Sequence, residues 1–245
     1  MFDDNKIVRS LWIDDSINLM QRICINSFIE QGHTFYIYTY GEISNLPDRV
    51  IVCDAEPIIP RSLVFKDVKN SYATFSDWFR MNLLYLYGGW WVDMDVVCIK
   101  PFTHRESFVF ASEVMSALGD TRICNAIMKM EKHSLYGDEM LTYIAHTLEV
   151  KDRRKILWTE LGATLIERCV NHNNNLEKYI HSTKAFCPVH YFNFHQLFLT
   201  EDFKFSQETF AVHLWNKMWQ QANYSSSVLN NNKNSFWQKL KVMYG

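Results

Sequence analysis

Residues 88–102, GGWWVDMDVVCIKPF, constrain this chain more than any other stretch. Two glycines close the apolar helical pattern of 72–89, two tryptophans open a strand pattern over 90–99, and Asp93 and Asp95 fall in its middle. A doubly covered strand reads apolar throughout. A buried carboxylate without a partner is costly against a total stability of about 5–15 kcal/mol. In an extended segment the side chains at i and i+2 point the same way, so Asp93 and Asp95 can converge on one object while Met94 turns into the sheet. Two oxygen ligands with open positions suit a hard divalent ion that also binds a phosphate. A nitrogen ligand added to them shifts the preference from magnesium toward manganese. By themselves the residues also allow two solvated aspartates at a strand end, paired with nearby lysines.

The rest of the chain supplies a frame for that strand. Its 245 residues, 48% hydrophobic and 15% aromatic, are enough for one large core. Strand patterns at 6–13, 33–40 and 49–55, the last read as doubly covered, alternate with helix patterns at 16–32 (Ser16 as N-cap, Gly32 as stop) and 72–89. That alternation predicts an α/β sheet of the nucleotide-binding kind. Beyond residue 115 the pattern is less regular: helices are expected near 124–133, 136–149 and 160–171, and a strand near 208–213. A main domain over 1–222 is expected, followed by a linker and a short basic amphipathic tail over 223–245. The tail reads equally as a solvated end or as a weak peripheral contact with a membrane surface.

A net charge of −2 gives no general attraction to nucleic acid or anionic membranes. The first residues lack the basic and apolar regions of a secretory signal, and no apolar run reaches the roughly 18 residues that cross a bilayer. The six cysteines are scattered with no C-x-x-C, which suits reduced thiols better than a disulfide framework. A cytoplasmic protein is expected.

Asp77 and Arg80 share a face at the start of the helix that leads into the acidic strand. Alone, the pair reads as an ordinary surface salt bridge. Taken together, however, FSDWFRMNLLYLYGGWWVDMDVVCIKPF resembles the S-D-x-x-R-x-x-x-L-Y-x-x-G-G-x-Y-x-D-x-D segment of the sugar transferases usually numbered family 32, with Trp91 at the tyrosine position. IVRSLWI resembles that family's first strand, and FAVHLWNKMW at 210–219 resembles its late H-x-W segment.

The resemblance implies a GT-A fold, with a mixed, mostly parallel central sheet flanked by helices. It implies retaining transfer of a hexose or N-acetylhexosamine from a UDP-sugar to a glycan hydroxyl, such as a lipid-linked oligosaccharide in bacterial surface polysaccharide assembly. Asp95 and His213 are then ligands of Mn²⁺, with Mg²⁺ the alternative, and Asp93 bridges to the metal and to sugar hydroxyls. Asp77 and Arg80 hold the transferred sugar, and Lys217 adds a cation on the diphosphate. Trp215 or Trp219 caps the site, and Trp12 either stacks on the uracil or packs in the core. Asn125 and Glu160 fall on the acceptor side. Metal and lysine answer one chemical need, because negative charge grows on the diphosphate as the glycosidic bond breaks. Two other readings use the same residues: a metal-dependent nucleotide-sugar hydrolase or phosphoesterase, and a non-catalytic carbohydrate-binding protein.

Overall fold

The computed structural model describes residues 5–224, 229–230 and 232–245. Strand β1 (Ile7–Leu11) leads into helix α1 (Leu19–Glu30), then β2 (Thr34–Thr39) and β3 (Ile51–Asp54). Helix α2 (Ala73–Tyr87) feeds β4 (Gly89–Val92) and the short β5 (Val96–Cys98). Strands β6 (Val109–Val114) and β7 (Thr121–Met130) precede helices α3 (Leu135–Val150) and α4 (Ala163–His172). After two short helices, α5 (Thr183–Phe186) and α6 (Gln196–Leu199), come β8 (Ala211–His213), α7 (Asn216–Ala222) and a final helix, Phe236–Tyr244.

The six-stranded sheet runs β3-β2-β1-β4-β7-β6. β3, β2, β1 and β4 are parallel, β7 is antiparallel to β4, and β6 is antiparallel to β7. The chain winds outward from β1 to β3, then returns to the other side of β1 with β4. The ends of β1 and β4 therefore flank a topological switch point, where open α/β sheets bind ligands. β5 and β8 form a separate antiparallel ladder beyond it.

The paired tryptophans have a structural explanation. Successive strand residues point to opposite faces, so Trp90 fills the core on the α1 side and Trp91 the core on the α2 side, both almost wholly buried. Arriving from α2, the chain turns at Gly88, whose φ of 64° favours glycine and whose missing Cβ would lie 2.8 Å from the Lys132 amide nitrogen.

Several expectations need correction. The stretch 124–133, read as a helix, belongs to strand β7. β7 is buried on both faces, and a bulge between Phe110 and Ala111 on β6 shifts its register, so apolar residues fall at spacings that mimic a helix. β3 is not doubly covered but is the exposed edge of the sheet. α1 is capped by Asn18, with a reciprocal Gln21 bond, rather than by Ser16. The expected linker falls partly on 225–228 and 231, which lie outside the described residues. In the helix after it, Phe236, Trp237, Leu240 and Tyr244 are buried in the α1-side core, and Asn26 donates to the Tyr244 carbonyl at 2.9 Å. Val242 and Met243 remain exposed.

Candidate active site

The acidic pair does not lie within a continuous strand. β4 ends at Val92, and Asp93 to Asp95 form a turn before β5, closed by the Val96 amide donating to the Asp93 carbonyl at 3.2 Å. The turn resolves the sequence paradox, because it carries both carboxylates out of the sheet at its switch point and gives each a different set of partners.

Asp93 belongs to a cage around Arg80. Arg80 is buried and comes from the middle of α2 rather than from its first turn. It donates to Asp77 Oδ1 at 2.7 Å and to Asp93 Oδ1 at 2.8 Å, with its guanidinium 4.7 Å from the centroid of the Trp91 ring. Trp91 Nε1 donates to the same Asp93 oxygen at 2.6 Å, and Asn125 Nδ2 donates to Asp77 Oδ1 at 2.7 Å. Among the described residues, the buried Arg80 Nε has no partner. Burial pushes the Asp77 carboxyl up to about 6 despite the lowering effect of Arg80. Asp93 is also raised, chiefly by burial, with Arg80 opposing and Asp95 adding to the rise.

Asp95 has the opposite balance. Burial works against its charge, but His213 and the Asn216 amide outweigh it and hold the carboxyl below its ordinary value. His213 Nε2 lies 3.3 Å from Asp95 Oδ2, and the Asn216 amide donates to that oxygen at 2.9 Å. Burial likewise disfavours the charged form of His213, and Asp95 overcomes it, raising the imidazole well above its usual value. The ladder places the pair directly, with Val96 of β5 opposite His213 of β8. Trp215 stacks on His213 with ring centroids 3.9 Å apart and anchors its own Nε1 on the Val189 carbonyl. Its φ of 60° is left-handed, a strained state for a tryptophan.

A cleft of ≈ 680 Å³ opens beside this pair, lined by the loop after β1 and by α7, including Trp12, Ser16, Asn18, Asn216 and Gln220. Trp12 therefore stands at the cleft, its Nε1 donating to the Ser16 carbonyl at 2.9 Å. Lys217 is exposed on α7, and Trp219 is buried with its Nε1 on the Leu214 carbonyl at 2.5 Å. Asn125 joins the Arg80 cage. Glu160 stands apart from it, held by Lys151 and by the Leu157 amide at 3.0 Å.

Two features of the site escaped the sequence. Gly162, at the start of α4, lies so close to the cage that a Cβ there would be 2.4 Å from both Asn125 Nδ2 and Asp77 Oδ2. Its only signal in the sequence is a glycine inside an expected helix. Cys124 and Cys187 approach His213 from behind, and their separation in the chain gives no signal at all.

Two regions of the chain match known protein families. Residues 19–115 match the family model described as a glycosyltransferase sugar-binding region containing a DXD motif. Residues 154–238 match the model described as an alpha 1,4-glycosyltransferase conserved region. The chain belongs to the DXD-motif glycosyltransferases. Its fold is GT-A. Among solved structures, the PaToxG glycosyltransferase is 14% identical over 98% of this chain and 87% of that one, with a TM-score of 0.52. The apo-form glycosyltransferase GlyE of Streptococcus pneumoniae TIGR4 is 12% identical over 92% of this chain and 62% of that one, with a TM-score of 0.45. No curated protein matches the chain in sequence. No helix among the described residues is long and apolar enough to cross a membrane.

Proposed function

We propose that this glycosyltransferase moves a hexose or N-acetylhexosamine from a UDP-sugar to a glycan hydroxyl, with retention, using Mn²⁺ or, less favourably, Mg²⁺. The observation that carries the reading is the Asp95–His213 pair beside the cleft. Its 3.3 Å oxygen–nitrogen spacing is close to the edge of about 3 Å expected for two ligands on one octahedral ion with bonds near 2.1 Å. One oxygen and one imidazole nitrogen are also a donor set that suits manganese. When bound, the ion supplies positive charge to the departing diphosphate.

The chain's own residues do the rest. Asp95 is kept ionised and oriented by His213 and the Asn216 amide. Arg80 fixes Asp77 and Asp93 in one geometry, so both present aligned acceptors to sugar hydroxyls without reorganising during transfer. Trp12, which lines the cleft, stacks on the base in this reading, and the exposed Lys217, on the helix that lines it, adds a cation for the diphosphate. Trp215 packs His213 and keeps water from its ring.

In this reading the acceptor is a lipid-linked oligosaccharide or related glycan, bound at the cytoplasmic face of a bacterial membrane for surface polysaccharide assembly. Any contact of the final helix with that membrane would fall to the exposed Val242 and Met243, because the other apolar residues of that helix are in the core.

A UDP-release assay over a panel of UDP-sugars, with Mn²⁺ or EDTA, tests the proposal on the wild type and on Asp95→Ala. The expected result is slow Mn²⁺-dependent release from one donor, faster with acceptor and abolished in the variant. Release that no acceptor accelerates would favour the hydrolase. No release from any donor, with no thermal stabilisation by UDP plus Mn²⁺, would overturn the UDP-sugar reading.

A further inference from the structure

Behind the Asp95 pair, the other edge of the His213 ring faces sulfur. Cys124 Sγ lies 3.9 Å from His213 Nδ1, and Cys187 Sγ completes a group whose ligand atoms all lie within 4.8 Å of one another. The three residues come from separate elements: Cys124 from β7, Cys187 from just after α5, and His213 from the end of β8. Both thiols are buried. Zinc bonds of about 2.3 Å to sulfur and 2.0 Å to nitrogen give a sulfur–nitrogen edge of about 3.5 Å in a tetrahedron. The observed 3.9 Å needs a contraction of only a few tenths of an ångström to meet that edge. The Asp95 contact on Nε2 also reproduces the carboxylate–histidine–metal arrangement that orients a ligating imidazole.

We propose that Cys124, Cys187 and His213 Nδ1 form a second metal site, selective for a thiophilic divalent ion of the zinc class and exclusive of a hard ion at the D-x-D. Binding displaces the two thiol protons and any proton on Nδ1, and leaves one of four tetrahedral positions open. Soft thiolates select this site against manganese. A neutral imidazole ligates one ion through one nitrogen, so with an ion on Nδ1 the Nε2–H donates to Asp95 and His213 is no longer a ligand for an ion at the D-x-D. The exclusivity rests on the manganese reading above, whereas the thiol site does not.

The test uses the whole reduced, metal-free chain with Co²⁺ as a spectroscopic stand-in for zinc, and Zn²⁺ as competitor. The expected result is one equivalent of Co²⁺ with thiolate-to-cobalt charge-transfer absorption, lost on adding Zn²⁺. Cys124→Ser and Cys187→Ser should each weaken binding more than about tenfold. Cys98→Ser, a buried cysteine outside the group, should leave it unchanged, and Zn²⁺ should raise the melting temperature of the wild type but not of the two site variants. In a second arm with UDP, Zn²⁺ should release bound Mn²⁺, read by electron paramagnetic resonance, from the wild type and not from the Cys124→Ser/Cys187→Ser double variant. No charge-transfer band, or a band that survives in both site variants, would overturn the site. Mn²⁺ retained beside bound Zn²⁺ would overturn the exclusivity. A cobalt band with no Mn²⁺ binding at all would sink the manganese reading and leave the thiol site standing.

Discussion

Around Arg80 the chain builds a cage of shared hydrogen bonds, and around His213, one turn of backbone away, it builds a simpler pair. Asp93 enters the first with Asp77 and shares a guanidinium, an indole N–H and, through Asp77, a carboxamide. Asp95 enters the second, and its two main partners are one imidazole and one backbone amide. The cage leaves both its carboxyls raised and the pair leaves its carboxyl lowered. Two aspartates two residues apart thus have opposite proton affinities, because the turn between β4 and β5 sends them into different surroundings. The cage suits fixed hydrogen bonding to a neutral sugar, and the pair suits an anion that must receive a cation.

Removing the shared cation should break the comparison most severely. Arg80→Ala takes the buried guanidinium from the largely buried Asp77 and the part-exposed Asp93, and the cost of breaking a fully buried ion pair, about 3–5 kcal/mol, is the upper bound. Guanidinium denaturation should show that loss together with complete loss of transfer. A variant of near wild-type stability would show that the cage is not an ion pair in solution. Asp95→Asn should separate the two regions differently. It should lower kcat about 10²–10³-fold, the scale for losing one preorganised charge-stabilising contact, with a far smaller change in denaturation midpoint. Equal losses of stability in the two variants would erase the distinction between a structural cage and a metal-binding pair.

The legibility of the site follows the same division. α2, its two glycines and the D-x-D could be read directly, because helix period, breakers and charge sit in one contiguous stretch whose meaning is local. The turn at Asp93 to Asp95 was hidden, since a turn inside ten apolar or acidic residues has no glycine or proline to announce it. β7 was misread because a strand covered on both faces loses the alternation that identifies strands. Its assignment matters to the site, since β7 delivers Asn125 to Asp77 and Cys124 to His213. Gly162, Cys187 and the two-stranded β5–β8 ladder depend on approaches between segments far apart in sequence, and nothing in the local pattern records them.

Gly162 offers an intermediate perturbation of the cage alone. An alanine methyl there must displace Asn125 and Asp77 from 2.4 Å. Overpacking of this kind costs about 1–3 kcal/mol. Gly162→Ala should lower the melting temperature and raise KM for the donor, while leaving the Co²⁺ and Mn²⁺ affinities of the His213 region unchanged. A parallel loss of metal affinity would mean that the two regions move as one.

The smallest expected effect is the dependence of stability on pH, where the two aspartates should leave limbs of opposite sign. For Asp77 the folded value of about 6 exceeds the ordinary 3.8. Between those values the native state keeps a proton that the unfolded chain has released, so this group's stability is full below about pH 4 and is lost as pH rises through about 6. For Asp95 the folded value is depressed, so its stability is present above the unfolded value and is lost as pH falls through the lower folded one. Denaturation midpoints measured from pH 3 to 7, within the ordinary carboxylate and imidazole range, should show the wild-type curve minus the Asp77→Asn curve declining between about 4 and 6. The same subtraction with Asp95→Asn should rise only on the acid side and then run flat until His213, held charged chiefly by Asp95, begins to contribute. A subtraction that is flat for Asp77 would place its carboxylate in water rather than in the cage, and the contrast between neighbouring aspartates would then rest on Asp93 alone.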